Sequence, residues 1–149
     1  MNRNNFYRVI NYLKTQLNND IDVNTIVHGE APENKKDLFP LAHLMVTGAS
    51  FPQGLCVFNF TVQVLDIRNV SKKMSTDKFL KNDNELDNLN TCFEVINSLV
   101  MDLKLQRNDL DIELLNEPTP LPVIYEFKDT LDGWTVDLQL SITNDVTVC

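Results

Sequence analysis

The sequence predicts a single α+β domain, 1–149, in which a largely antiparallel sheet packs against an N-terminal helix and one long central helix. Three observations carry that expectation. Apolar residues recur at helical spacing in 5–17 and 82–105. They alternate at the period of a strand in 57–67 and 134–142. The length of 149 residues suits one domain and leaves no room for two.

The first helix is read from Phe6, Val9, Ile10, Leu13 and Leu17, which share one face, and Asn18-Asn19-Asp20 supplies residues that tolerate a turn after it. Residues 21–28 are short and β-branched and read as a strand, and the polar stretch 29–37 (GEAPENKKD) reads as a loop. Residues 38–51 are apolar on both faces, as in a strand covered on both sides. With GASFPQG, 48–54, as the turn, they pair with 57–67, where Phe58, Phe60, Val62 and Val64 share one face and Asn59, Thr61 and Gln63 the other. A long antiparallel hairpin results.

The long helix, 82–105, is read from Leu86, Leu89, Phe93, Ile96, Leu99, Val100 and Leu103. Asn82, Asp83 and Asn84 offer N-caps, acids crowd the helix start, and Lys104 and Arg107 stand at its end, all in the sense that suits the helix dipole. Residues 109–115 alternate Leu110, Ile112 and Leu114 against acids and read as a strand. In NEPTPLP, 116–122, three prolines interrupt any ladder. Strands over 123–127 and 134–142 follow, joined by 128–133, with Asp132-Gly133 read as a turn pair. The order is α-β-ββ-α-β-ββ.

Charge bounds the function. The chain holds 13 basic and 21 acidic residues, a net −8, which argues against a general nucleic-acid binder needing a basic surface. The acidity is uneven: residues 1–75 hold 8 basic and 6 acidic residues, 76–149 hold 5 and 15. Against that trend the stretch 68–81 carries Arg68, Lys72, Lys73, Lys78 and Lys81 with Asp77 as its one acid, and reads as an extended basic loop of the kind that contacts something. No apolar run has the length of a membrane span, and the N-terminal segment is too broken by polar residues for a signal peptide, so a cytosolic product is expected.

Motifs for catalysis are missing. GxSxG, the phosphate-binding loop, HExxH and GxGxxG do not occur. Cys56, Cys92 and Cys149 are widely spaced and read as free thiols. His43 sits in the apolar run PLAHLMV and reads as a buried histidine; Trp134 reads as core. Asp109, Asp111 and Glu113, at alternate positions, would share one face of a strand, solvated or turned to a partner. No metal, cofactor or enzymatic activity is expected. Opposite charges on two regions of one subunit suit a protein that meets its own copies head to tail, and such contacts close into rings.

The succession LFPLAHLMVTGASF, FNFTVQVLDIR, a polar loop, NDNELDNLNTCFEVINSLVMDL, IYEFKDTLDGWTVDLQLSI and VTVC resembles small structural proteins of the tailed-bacteriophage head–tail junction. The likeness is to neck proteins of the tail-completion or tail-terminator type, as in crAss-like and related podovirus-like phages, and it runs over nearly the whole chain. It implies a tail-terminator-like α+β subunit, a homo-oligomeric ring of six or twelve copies, and portal, adaptor and tail proteins as partners. It also implies a place in the virion after assembly in the host cytoplasm, with DNA only as cargo passing through the channel and no membrane. The basic residues 68–81 would then reach a neighbour or the channel, and the acids Asp109, Asp111 and Glu113 would form an acidic interface. Rival readings are another tail component (hub, baseplate or spike attachment) and a small cytosolic protein-binding module.

Overall fold

Asn5–Asn19 forms the first helix, α1, with Val9, Ile10, Leu13 and Leu17 of its apolar stripe buried and Tyr12 beside them. The computed structural model describes residues 4–28, 39–68, 84–106, 110–126 and 131–144, with the side chains of Tyr125 and Glu126 left aside. The described residues form two helices and six strands: β1 (Thr25–His28), β2 (Leu41–Ser50), β3 (Leu55–Ile67), α2 (Glu85–Lys104), β4 (Glu113–Leu114), β5 (Leu121–Glu126) and β6 (Leu131–Thr143). The order is the one the sequence predicts, and the fold is a single α+β domain with a mostly antiparallel sheet.

β3 and β6 are the spine of the sheet. They pair antiparallel over their full length, from Leu55↔Thr143 to Ile67↔Leu131. β2 lies on the other side of β3, antiparallel, and β1 lies outside β2 as the one parallel pair. The free side of β6 is shared: β5 pairs with its first half and β4 with its second.

One face of the sheet takes both helices. Phe58, Phe60, Val62 and Val64 of β3 and Val136, Leu138, Leu140 and Ile142 of β6 meet Leu13 and Leu17 of α1 and Val95, Ile96, Leu99 and Leu103 of α2 in one apolar core. Alternation sends Leu65 to the opposite face, where it joins Phe39, Leu41, Val123 and Leu131 in a smaller cluster.

Several boundaries differ from the sequence reading, each for a local reason. The strand expected over 21–28 starts at Thr25, because Asp20–Val23 closes a turn in which the Asp22 and Val23 amides donate to Asp20 at 3.0 and 3.2 Å. β2 runs on through Gly48 to Ser50, so the turn is Phe51–Gly54, completed by the Leu55 amide on the Pro52 carbonyl and by Gly54 at φ +77°. Of the strand expected over 109–115, the described residues 110–115 keep only Glu113–Leu114, since Asp111 at φ +62° turns the chain out of extended geometry. Pro122 does lie in a strand: β5 borders β6 on one side, and an edge strand accommodates the missing amide.

Asp132-Gly133 is the largest revision. These residues are strand, with Asp132 opposite Asp66 and Gly133 opposite Leu65. A Cβ on Gly133 would lie 1.8 Å from the Val64 carbonyl oxygen. Glycine is required there by the close approach of β3 and not by a turn.

Candidate interaction surfaces

Arg68 follows β3 and points inward. Its guanidinium makes a two-pronged contact with Asp132, Nε to Oδ2 at 2.8 Å and Nη2 to Oδ1 at 2.7 Å, and Nη2 also lies 3.1 Å from Glu85 Oε2 in the first turn of α2. Asp132 is fully buried and the Arg68 side chain is 10% exposed. Planar, bidentate pairing is the geometry that makes burying both charges tolerable. The expectation that Arg68 reaches a neighbour or a DNA channel is therefore corrected: its charge is neutralised within the subunit. Lys72, Lys73, Lys78 and Lys81 lie outside the described residues.

Amide side chains complete this end. Asn84 and Asn88 both donate to the Ile67 carbonyl, at 3.1 and 2.9 Å, and Asn84 also donates to Asn88 Oδ1. Asn84 begins α2 as the sequence predicts, but its side chain makes no cap hydrogen bond; it ties the helix to the end of β3 instead. Asp66 stands beside Asp132, and burial, helped by that neighbouring charge and opposed by the Ile67 amide, holds its carboxyl above the usual range. Cys92 lies under the same network with its thiol pushed up to about 12, first by burial and then by Asp66, Asp132 and Asp22. It is protonated and unreactive at neutral pH. Trp134 packs edge-to-face on Phe93 with ring centres 5.3 Å apart and donates Nε1–H to the Leu89 carbonyl at 2.8 Å. This arrangement clamps β3, β6 and α2 together.

Of the three acids expected on one strand face, the two described ones, Asp111 and Glu113, are not arranged that way. Asp111 accepts from Thr143 Oγ1 at 2.6 Å, Glu113 accepts from Gln106 Nε2 at 3.1 Å, and Asp109 lies outside the described residues. The spacing argument required a strand that the backbone at Asp111 ends. Glu113 instead borders a groove of about 430 Å³ with Lys104, Gln106, Asn116 and Glu117, where Lys104 meets Glu117 at 2.7 Å. A second groove, about 390 Å³, opens between α1 and α2 among Asp20, Asp22, Glu94 and Asp102. Among the described residues no group of three or more His, Cys, Asp or Glu is placed to hold a metal ion. His43 is buried in β2 beside Gln63, as its apolar context suggests.

The opposite end of the sheet has a different character. β1 accompanies β2 only from Leu41 to Leu44, so among the described residues Met45–Ser50 has a partner strand on one side alone. A bulge at Thr47 interrupts the register with β3, and Val46 just before it is 47% exposed. The hairpin tip presents Phe51, 76% exposed, and the start of α1 adds Tyr7 and Phe6. Phe6 stacks edge-on against Phe58 at 5.6 Å, which joins the helix start to the hairpin near its tip. The Asn5 amide donates to Asn144 Oδ1 at 3.4 Å and the Asn144 amide to the Gly54 carbonyl at 3.0 Å, fixing the same corner. The sequence does carry a signal for this surface: no Lys, Arg, Asp or Glu occurs between Asp37 and Asp66.

Comparison of the sequence with models of known protein families, and with characterised proteins, finds no match to either. No helix among the described residues is long and apolar enough to cross a membrane.

Proposed function

We propose that this chain is a non-enzymatic virion protein of a tailed bacteriophage that closes into a homo-oligomeric ring at the head-to-tail junction. In that role it joins the portal or its adaptor to the tail and leaves a channel for DNA. The observation that supports the reading most is the succession α-β-ββ-α-β-ββ over the whole chain, with both helices on one face of a mostly antiparallel sheet, the subunit that the resemblance to tail-terminator neck proteins implies. The mechanism is geometric. A subunit with two unlike sides, one neutral and apolar at Val46–Phe51 and one acidic along the second half of the chain, joins copy to copy, and a constant rotation closes the ring.

The test is the mass of the full chain across a concentration series, with negative-stain images of the same samples and an assay of purified phage particles for the protein. Closed rings of six or twelve copies, together with presence in particles, support the reading. A protein missing from particles removes it in favour of a cytosolic binding module.

A further inference from the structure

We infer that a second copy of this chain docks on the open edge and tip of the β2–β3 hairpin, along Val46–Phe51 and the adjoining start of α1. The inference rests on the reading that the chain assembles with its own copies, and it names the surface that does so.

Three observations converge on it. First, the backbone of Met45–Ser50 is unpaired on its outer side among the described residues, and an open strand edge is a template for another chain. The other edges among the described residues are short or interrupted: β1 is four residues long, β4 two, and β5 is preceded by Pro118 and Pro120 and contains Pro122. The β2 edge has one bulge and no charge.

Second, charge selects the occupant. Two copies of a chain with net charge −8 repel wherever their acidic surfaces approach. The hairpin, free of Lys, Arg, Asp and Glu from Leu41 to Leu65, is where like copies meet without that cost. A basic partner would gain nothing from this neutral strip and would be drawn to the acidic half instead.

Third, there is apolar surface to cover. Phe51 is 76% exposed, Tyr7 64%, Val46 47% and Phe6 37%. Together they offer about 400 Å², half of the roughly 800 Å² that each partner gives to a stable interface; the strand edge supplies a further share. That is the size of the largest apolar patch on a typical monomer, and such a patch is often functional.

The experiment is sedimentation of the full chain over a concentration series, for wild type, Val46→Lys, Phe51→Ser and Met101→Lys. Val46→Lys lowers the net negative charge, so any weakening it causes comes from the seam and not from general repulsion. Self-association is expected to weaken at least tenfold in Val46→Lys and in Phe51→Ser, whose side chain stands in solvent and whose fold is unaffected. Met101→Lys, at a half-exposed position on α2, is expected to leave association unchanged. If wild type assembles and both hairpin variants assemble equally well, the inference is overturned while the ring reading stands. A wild-type chain that is monomeric throughout, its edge reserved for a different protein, also overturns the inference; the ring reading is then decided by the particle assay.

Discussion

At one end of the sheet, where β3 stops at Ile67 and β6 starts at Leu131, Arg68, Asp132, Glu85, Asn84 and Asn88 are all engaged with one another or with backbone, inside the subunit. At the other end, where β3 starts at Leu55 and β6 stops at Thr143, the prominent side chains are Phe51, Tyr7 and Val46, and they stand in solvent. The first end satisfies polar groups that cannot be left alone once buried; the second leaves apolar groups that gain from being covered. Folding and assembly are thereby assigned to different ends of the same two strands. Damage to the clamp should cost stability, and damage to the open corner should cost association.

The largest expected effect is at Gly133. Gly133→Ala drives a Cβ into the Val64 backbone, which no rotamer relieves, and should cost roughly 4 kcal/mol or more, read as a collapse of the urea midpoint. Next comes Asp132→Ala, which takes the bidentate partner from the buried Arg68 charge and should cost ~3–5 kcal/mol. Trp134→Phe keeps a ring against Phe93 and removes the donor to the Leu89 carbonyl, for a loss of about 1 kcal/mol.

A smaller effect of opposite sign is expected at Asp66. Its folded carboxyl is raised above the unfolded value, so its contribution to stability is fully present below the unfolded pKa and is lost as pH rises through the folded one. Asp66→Asn keeps an oxygen for the Ile67 amide and removes the charge. The variant should be slightly more stable than wild type at pH 7, and the difference should vanish on acidification below the carboxylate range, as thermal melts at several pH values will show. Smallest of all is the change in stability from Phe51→Ser, within about 0.5 kcal/mol; a larger loss in that melt would mean that the open corner is part of the core.

The features legible in the sequence are those written in periodicity. The α1 stripe from Val9 to Leu17, the alternation Phe58–Val64 and the Ile96–Leu103 part of the α2 face place the core and the element order, whereas Leu86 and Phe93, expected on that face, stand exposed and Cys92 and Val95 are buried instead. What was not legible depends on contacts distant in sequence or on single backbone angles. Nothing near Arg68 announces a partner 64 positions on at Asp132, so a basic residue at the head of a basic stretch reads as solvent-facing. Gly133 follows an aspartate, as turn glycines do, and only the approach of Val64 shows its purpose. The alternating acids misled because five residues of alternation cannot reveal that Asp111 has left the extended region. The neutral hairpin was visible as a charge gap, but its exposure followed only from how short β1 is.

Backbone hydrogen exchange of the full chain, measured at a low and a high protein concentration, tests this division between the two ends most directly. The account predicts that amides of Met45–Ser50 gain protection as concentration rises, while those of Leu65–Ile67 and Leu131–Trp134 stay equally protected throughout. Concentration-dependent protection at the Arg68–Asp132 end, with none at Met45–Ser50, would contradict it.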